Sequence, residues 1–248
     1  MKRFGLIFWL IFLITPLTAL ASEKITRESI QYNKSNRTFY LFVPDTLKTG
    51  SPAPLIMLLH GSGRNGLSLV EKWKELASKE GVILVGPDAS DASKWSVPKD
   101  GPDFLREIVE TLKTKYTVNP RRVYLFGHSG GAVFALNISM LESEYFAATA
   151  VHAGAWREPK EYELIKYAAR KIPLAIWVGT NDLFFPLDSV RATRDALRAQ
   201  GIPIEVTEMK GHDHWYYSLA SKINQNAWEF LKRHELEADQ QYTQYNFR

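Results

Sequence analysis

The sequence predicts an α/β protein whose central sheet is mostly parallel and is flanked by helices. Short apolar runs typical of strands alternate with helical stretches of about 10–15 residues, which is the pattern of βαβ units. Several strand-like runs are apolar without alternation, as expected for strands that are buried on both faces. With 45% hydrophobic and 23% charged residues, the 248-residue chain can bury a large core. No internal repeat or linker interrupts the pattern, so we predict one folded domain.

The strands are recognised by short apolar or alternating runs. Residues 55–59 are continuously apolar, whereas residues 37–43 alternate and are rich in aromatic side chains, which suits an early strand. Residues 82–85 end at Gly86 and Pro87, two residues that interrupt regular structure. In chain order the predicted strands are 37–43, 55–59, 82–85, 123–126, 147–151, 174–178 and 204–209.

The helices are recognised by apolar residues that recur every three to four positions. Phe104, Ile108 and Leu112 show this spacing, and Gly81 is the residue type favoured just past a helix C-terminus. In chain order the predicted helices are 67–79, 104–116, 132–140, 190–199 and 218–231. Residues 235–248 are polar and aperiodic, so we predict a loosely held C-terminal tail.

The first 21 residues have the organisation of a secretory signal peptide. Lys2 and Arg3 precede the apolar run 4–14, and Pro16 and the small residues up to Ala21 complete a cleavage pattern. An uncleaved membrane anchor is the alternative, but the run is shorter than the roughly 20 residues that a spanning helix needs. We therefore predict cleavage after Ala21, a folded domain over 22–234, and a secreted or periplasmic location without stable membrane insertion.

Composition excludes several kinds of function. The chain has no cysteine, so disulfides, thiol nucleophiles and cysteine-ligated metals are impossible. The formal net charge of +4 falls to +2 once Lys2 and Arg3 are removed with the signal peptide. Charges of both signs are interspersed along the rest of the chain, so no nucleic-acid partner is predicted.

The segment 123–136 carries the clearest chemical motif. An apolar strand runs into Gly127-His-Ser129-Gly-Gly131 and then directly into a helix. A serine on such a sharp turn projects its hydroxyl from the sheet, and the flanking glycines leave the room that the turn requires. We therefore predict that Ser129 is a nucleophile. The alternative is a glycine-rich turn with no catalytic role.

A serine nucleophile needs a base to take its proton and an acid to orient that base. In this arrangement the acid follows a later strand, and Asp182 lies just past the strand 174–178. An aspartate that only caps a turn is the alternative. His212 and His214 follow the strand 204–209, and these residues alone leave both open as the base. No third histidine lies near the pair, so no metal site is predicted.

A glycine-rich loop follows the strand 55–59. The residues His60-Gly-Ser62-Gly lie where backbone N–H groups can face a developing oxyanion. We expect the N–H groups of Ser62 and Gly130 to be the donors. A phosphate-binding loop is the alternative, but the Gly-Lys-Ser/Thr ending of such loops is missing.

The whole mature chain resembles the α/β-hydrolase superfamily. Within it, the motifs are similar to those of polyhydroxybutyrate depolymerases, feruloyl esterases and acetylxylan esterases, with esterase D nearby. The resemblance rests on Val118-Asn-Pro-Arg-Arg-Val-Tyr124 before the 127–131 motif, and on Gly179-Thr-Asn-Asp182. The segment Gly211-His-Asp-His214-Trp-Tyr-Tyr217 is similar to the esterase D segment whose histidine is the base. This similarity selects His214 over His212.

The resemblance implies an α/β-hydrolase fold, a triad of Ser129, Asp182 and His214, and no cofactor. Only about 22 residues separate positions 151 and 174, where lipases of the superfamily insert a lid. We therefore expect no large cap domain and an open cleft. Five residues near the ends of strands are candidate substrate contacts, namely His60, His128, His152, Trp156 and Trp215.

These observations predict an exported serine hydrolase that cleaves carboxylic esters through an acyl-enzyme. Feruloyl or acetyl esters on polysaccharides, hydroxyalkanoate esters and other short acyl esters all fit, and an open cleft suits a polymeric substrate. The same triad could transfer an acyl group to another alcohol or cleave a peptide, and both alternatives stay open. A binding module without catalysis is a further alternative, although such proteins usually lack part of the triad.

Overall fold

In the computed structural model, which describes residues 23–47 and 51–243, eight strands form one sheet. The strands are β1 (Ile25–Tyr32), β2 (Ser35–Phe42), β3 (Ala53–Leu59), β4 (Ile83–Pro87), β5 (Val118–His128), β6 (Thr149–His152), β7 (Leu174–Gly179) and β8 (Ile204–Met209). Their order across the sheet is β1-β2-β4-β3-β5-β6-β7-β8. The pairs β1–β2 and β2–β4 are antiparallel, and all other neighbours are parallel. The predicted mostly parallel sheet is confirmed.

Within the described ranges, six α-helices accompany the sheet. They are α1 (Leu67–Glu80), α2 (Pro102–Lys115), α3 (Gly130–Leu141), α4 (Pro159–Tyr162), α5 (Leu187–Ala199) and α6 (Ala220–Leu231). Trp73 of α1 and Trp228 of α6 belong to one buried cluster, so these helices cover one face. Phe104 of α2 and Leu197 of α5 belong to a second buried cluster, which α3 also joins. The sheet is therefore covered on both faces.

The central strand β3 shows why a continuous apolar run marks a buried strand. All seven of its residues are buried. Leu55, Met57 and Leu59 belong to the cluster beneath α2, α3 and α5, whereas Ile56 and Leu58 belong to the cluster beneath α1 and α6. Since successive side chains point to opposite faces, a strand covered on both sides needs apolar residues at every position.

The strand β1 was not among the predicted strands. It pairs antiparallel with β2 at the edge of the sheet. The turn residues Asn33 and Lys34 have φ values of 48° and 60°, the left-handed conformation of tight two-residue hairpins. All β1 residues are at least partly exposed, because the strand lies at the edge. It therefore lacks the apolar signal by which the other strands are recognised.

The connection from β6 to β7 is short and fully described. It holds only α4 and a 3-10 turn, Glu163–Tyr167. Neither element was predicted, because each is too short to show a periodic apolar pattern. The connection contains no large cap domain, as its length in the sequence predicts.

The C-terminal tail differs from the prediction of loose attachment. Up to residue 243 it lies against the body of the protein: Leu236 is buried, and Lys113 Nζ donates to Gln240 Oε1 at 2.5 Å. The hydroxyl of Tyr242 donates to the carboxylate of Asp103. Lys113 and Asp103 both belong to α2, which is distant in sequence, so nothing in the tail itself indicates these contacts.

Two predictions concern residues outside the described ranges. The signal peptide over 1–21, with its cleavage site after Ala21, lies there, as do the last five residues of the tail, 244–248. Among the residues that are described, no helix combines the length and the hydropathy that crossing a membrane requires.

Candidate active site

Ser129 lies at a sharp turn between β5 and α3. Its backbone φ is 55°, a left-handed value that is rare for a residue with a side chain. A Cβ on Gly127 would lie 2.3 Å from the Gly131 oxygen, and a Cβ on Gly131 would lie 2.0 Å from the Leu59 oxygen. Both glycines are therefore required by close backbone contacts. The turn places the serine hydroxyl at the carboxyl end of the sheet.

The folded sheet brings Ser129 together with Asp182 and His214. Asp182 follows β7 and His214 follows β8, so both lie near the carboxyl ends of parallel strands. His214 Nε2 lies 3.0 Å from Ser129 Oγ, although the two residues are 85 positions apart. His214 Nδ1 lies 2.9 Å from Asp182 Oδ2. The three side chains form a continuous hydrogen-bonded series.

Asp182 is held as a carboxylate. Burial alone would raise the pKa of Asp182, but hydrogen bonds from His214 and from the N–H groups of Phe185 and Phe184 outweigh burial and lower it. Those two N–H groups donate to Oδ1 at 2.9 and 2.8 Å. Because a carboxylate only accepts, Nδ1 of His214 carries the proton. Nε2 of His214 is left as an acceptor for the Ser129 hydroxyl.

The second candidate base, His212, points elsewhere. Its Nε2 lies 3.0 Å from Nε2 of His152. Of the two histidines in this loop, only His214 is within hydrogen-bond distance of Ser129 Oγ. Among the described residues, no group of three or more His, Asp or Glu side chains is placed to hold a metal ion.

The loop after β3 approaches the serine turn closely. A Cβ on Gly61 would lie 3.3 Å from Ser129 Cβ, and a Cβ on Gly130 would lie 3.6 Å from the Ser62 nitrogen. The N–H of Ser62 makes no hydrogen bond within the described part of the chain. Gly130 is the first residue of α3, where N–H groups lack acceptors inside the helix. Two N–H groups and the positive end of a helix dipole therefore lie beside Ser129.

His60 supports this loop from beneath. Nδ1–H of His60 donates to the Gly61 oxygen at 2.9 Å, and Nε2 accepts the N–H of Ala89 at 3.1 Å. Burial lowers the pKa of His60, although the bond to Gly61 works in the opposite direction. The side chain is buried and both ring nitrogens are occupied. The prediction that His60 contacts the substrate is therefore corrected.

Three further predicted substrate contacts are also enclosed. His152 and Trp156 are 0% exposed, and His128 is 3% exposed. Nδ1 of His128 lies 3.1 Å from Nδ1 of His152, and the indole N–H of Trp156 donates to Asn137 Oδ1 at 2.8 Å. Because these side chains have almost no accessible surface, the prediction that they contact the substrate is corrected. Packing of the neighbouring loops, which the local sequence does not reveal, encloses them.

Exposed apolar side chains directly follow Asp182 and His214 in the chain instead. Leu183, Phe184 and Trp215, which we call the apolar rim, are 90%, 58% and 56% exposed. The ring centroids of Phe184 and Trp215 lie 4.6 and 6.1 Å from that of His214. Of the five predicted substrate contacts, only Trp215 presents a large accessible surface. Leu183 directly follows the predicted acid, which is the signal that could have identified it.

Trp95 is a neighbour of the site that the sequence analysis missed. Its ring stacks on Phe134 of α3 at 5.0 Å and lies 4.8 Å from the ring of His60. Its indole N–H donates to the His60 carbonyl at 2.8 Å. Trp95 and Phe134 border a groove of about 530 Å³ along α3. Trp95 lies in an irregular loop, so only its aromatic character could have indicated a role.

Curated proteins that are similar to this chain include esterases. The chain is 29% identical over 153 residues to a bifunctional acetylxylan esterase/xylanase of Neocallimastix patriciarum, covering 60% of this chain and 22% of that protein. It is 26% identical over 161 residues to feruloyl esterase B of Thermothelomyces thermophilus, covering 58% of this chain and 53% of that protein. The chain thus spans less than two thirds of the length of either relative.

A solved structure shares the fold over nearly the whole described chain. A ferulic acid esterase from Anaeromyces mucronatus aligns with a TM-score of 0.67 at 15% identity, covering 88% of this chain and 94% of that one. At this identity the likeness concerns the fold alone, and it confirms the predicted α/β-hydrolase fold.

The model of the dienelactone hydrolase family matches residues 86–236, a span that includes Ser129, Asp182 and His214. With more than half of its length inside that match, the chain belongs to the dienelactone hydrolase family of the α/β-hydrolase superfamily.

Proposed function

We propose that this protein is a serine hydrolase that cleaves carboxylic esters through an acyl-enzyme. One observation carries the proposal: Ser129 Oγ, the His214 imidazole and the Asp182 carboxylate form a hydrogen-bonded series with distances of 3.0 and 2.9 Å. Membership of the dienelactone hydrolase family supports it, as do the relatives named as esterases.

Acylation begins when Ser129 Oγ attacks the ester carbonyl carbon while His214 Nε2 accepts the hydroxyl proton. Asp182 stabilises the imidazolium and keeps the ring oriented. The N–H groups of Ser62 and Gly130 donate to the carbonyl oxygen as it becomes negative, and one such donor typically contributes about 3–4 kcal/mol. The bond to the alcohol oxygen then breaks. His214 returns its proton to that oxygen, and the acyl group remains on Ser129.

Deacylation repeats these steps with water as the nucleophile. His214 Nε2 takes a proton from water, and the water oxygen attacks the acyl carbon. The same N–H groups stabilise the second oxyanion. The bond to Ser129 Oγ then breaks, Oγ regains a proton from His214, and the carboxylic acid leaves.

The surface around His214 favours an ester with an apolar portion on a bulky carrier. The apolar rim offers three exposed side chains that directly follow Asp182 or His214 in the chain. The connection between β6 and β7 is short, so the cleft is not roofed by a cap. We therefore propose feruloyl, acetyl or hydroxyalkanoate esters, including polymeric ones, as substrates. Similar proteins named as acetylxylan esterase, feruloyl esterase and poly(3-hydroxyalkanoate) depolymerase support this range.

We further propose export by a signal peptide over 1–21, on the sequence pattern alone. Protein recovered from the periplasm or medium of a bacterial host should begin at Ser22 when its N-terminus is sequenced. Recovery of cell-associated protein that still begins at Met1 would contradict cleavage.

The catalytic proposal is tested by pairing the wild type with Ser129→Ala. The wild type should hydrolyse p-nitrophenyl acetate and react with a fluorophosphonate, and the variant should do neither. Parallel assays with feruloyl, acetylxylan and hydroxybutyrate esters would identify the acyl group. Turnover by Ser129→Ala at the wild-type rate would refute the mechanism. Preferential formation of a new ester with added alcohol would indicate acyl transfer, and faster cleavage of amides than of esters would indicate a peptidase.

A further inference from the structure

Three histidines outside the proposed triad form a buried row beside it. Nδ1 of His128 lies 3.1 Å from Nδ1 of His152, and Nε2 of His152 lies 3.0 Å from Nε2 of His212. The three residues are 3%, 0% and 8% exposed. Buried polar groups without partners are costly, and in this row the ring nitrogens that face one another serve as hydrogen-bond partners.

Each ring can satisfy its neighbours while it is uncharged. A neutral imidazole has one N–H and one lone pair, so the middle ring donates to one neighbour and accepts from the other. His212 Nδ1 lies 3.9 Å from Asp213 Oδ1, which favours a proton on that nitrogen. His152 Nε2 then donates to His212, and His128 Nδ1 donates to His152. Desolvation lowers the pKa of His128 to about 3 and that of His152 to about 2, which keeps these two rings neutral.

The row joins the three segments that carry the proposed triad. His128 ends β5 immediately before the serine turn, and the N–H of Ser129 donates to the carbonyl of His152 at 3.1 Å. His212 lies in the loop that carries the base. Its carbonyl accepts the N–H of Asn181 at 2.9 Å, in the loop that carries the acid. His152, at the end of β6, is therefore the central link between these loops.

We propose that His152 is a positioning residue for ester hydrolysis, whose two imidazole–imidazole hydrogen bonds hold the loop of the base against the serine turn. This role rests on the proposed function. His152 has no accessible surface, so it acts through His128 and His212 and not on the substrate. A misplacement of about 1 Å in a reacting group can cost about 100-fold in rate. Loss of the bridge should therefore lower kcat and leave KM nearly unchanged.

Two amide variants separate the two hydrogen bonds. In His152→Asn the amide is attached at Cγ, as Nδ1 is, so it can retain only the bond toward His128. In His152→Gln the amide is attached one carbon further out, level with Nε2, so it can retain only the bond toward His212. With p-nitrophenyl acetate, we expect kcat to fall about tenfold in His152→Gln and about 100-fold in His152→Asn, and KM to stay within about twofold.

Thr149→Val is the matched control from the same strand. Thr149 Oγ1 lies 2.7 Å from Ser139 Oγ, and both residues are fully buried. Valine removes this hydrogen bond at almost the same volume, so the denaturation midpoint should fall while kcat stays unchanged. The positioning role is overturned by wild-type kcat in both folded His152 variants, by a raised KM at constant kcat, or by an equal loss of kcat in Thr149→Val.

Nuclear magnetic resonance of the wild type decides the case if the variants do not fold. With ¹⁵N-labelled histidine, the two N–H···N bonds should give nitrogen–nitrogen couplings between His128 and His152 and between His152 and His212. Their absence overturns the proposal, and their presence supports it. Fluorophosphonate labelling of the same sample tests the proposed function separately. Failure to label Ser129 would refute the proposed hydrolase function. The nitrogen–nitrogen couplings would still show whether the hydrogen bonds of the histidine row are formed.

Discussion

A Cβ built on Gly179 would lie 2.1 Å from the carbonyl oxygen of His212. The last residue of β7 is thus in direct backbone contact with the loop that follows β8. The same carbonyl accepts the N–H of Asn181 at 2.9 Å. The loops of the proposed acid and of the proposed base therefore touch through their main chains, and the placement of His214 depends on the absence of a side chain at Gly179.

Gly179→Ala should disable the proposed active site by pushing the loop of His214 outward. We expect kcat for p-nitrophenyl acetate to fall about 100-fold or more, because the base would move relative to Ser129. Gly201→Ala is the control: Gly201 has a φ of 72° and no atom within 4 Å of a built Cβ. It should lose about 1 kcal/mol of unfolding free energy through backbone strain and keep its kcat. Wild-type kcat in Gly179→Ala would contradict the contact.

Asp182→Asn should lower kcat by about 10⁴-fold, because an amide neither stabilises the imidazolium nor enforces the required tautomer of His214. The exposed Asp213 supplies the control. Its Oδ1 accepts the N–H of Trp215 at 2.8 Å and lies 3.9 Å from His212 Nδ1, and the amide oxygen of asparagine can take the same place. Asp213→Asn should therefore stay within about twofold of the wild-type kcat. Comparable losses in the two variants would argue against a special role for Asp182.

Local patterns suffice to predict most of the sheet and the serine turn. Continuous apolar runs identify β3 and β7, and the turn at Ser129 is encoded by glycines within two positions of it. Asp182 and the loop that holds His212 and His214 follow from the rule that parallel strands collect their ligands at one edge. The choice between His212 and His214 needed a resemblance, since residues two apart in one loop carry the same local signal.

The remaining features depend on contacts between distant segments. Burial of His152 and Trp156 is decided by loops that fold over the ends of the strands, so their residue types suggested a cleft that they do not line. The tail is mostly polar, yet Gln240 and Tyr242 contact α2 through hydrogen bonds with Lys113 and Asp103. Such complementarity is invisible until both surfaces are assembled.

Glu142 should make the stability of the fold fall as the pH rises. Its side chain is buried, its Oε1 has no hydrogen-bond partner within the described part of the chain, and desolvation raises its pKa to about 8. The hydrogen bond from the N–H of Thr243 opposes this shift. The pKa of Glu142 in the folded protein exceeds the unfolded value of 4.5. Its contribution to the free energy of unfolding is therefore fully present below pH 4.5 and is lost as the pH rises through about 8.

Glu142→Gln replaces the titratable carboxyl group with an amide, so it should flatten the dependence of unfolding free energy on pH. In urea unfolding, the variant should be more stable than the wild type at pH 9, and the difference should shrink toward pH 5. Glu237→Gln, at an exposed position of the tail, should follow the wild type at every pH. Parallel profiles for the wild type and Glu142→Gln would show that Glu142 is ionised throughout.

Trp215→Ala should weaken binding of large esters. The side chain is 56% exposed beside His214, and an apolar or aromatic substrate group that covers it would bury apolar surface. We expect KM for a feruloyl ester to rise about tenfold, or ~1.4 kcal/mol, and KM for p-nitrophenyl acetate to change little. Leu219→Ala alters another exposed apolar residue outside the apolar rim and should leave both values unchanged. A similar rise for both esters in Trp215→Ala would point to damage to the loop.

The backbone N–H of Ser62, and not its hydroxyl, is the group that we propose for oxyanion stabilisation. Ser62→Pro deletes this N–H and should lower kcat about 10²–10³-fold, the loss that follows removal of one such donor. Ser62→Ala keeps the N–H and should stay within about threefold of the wild type. Fluorophosphonate titration corrects both rates for the fraction of active protein. Because Gly130 and the dipole of α3 remain, Ser62→Pro should still exceed the uncatalysed rate, and equal kcat values in the two variants would exclude Ser62 as a donor.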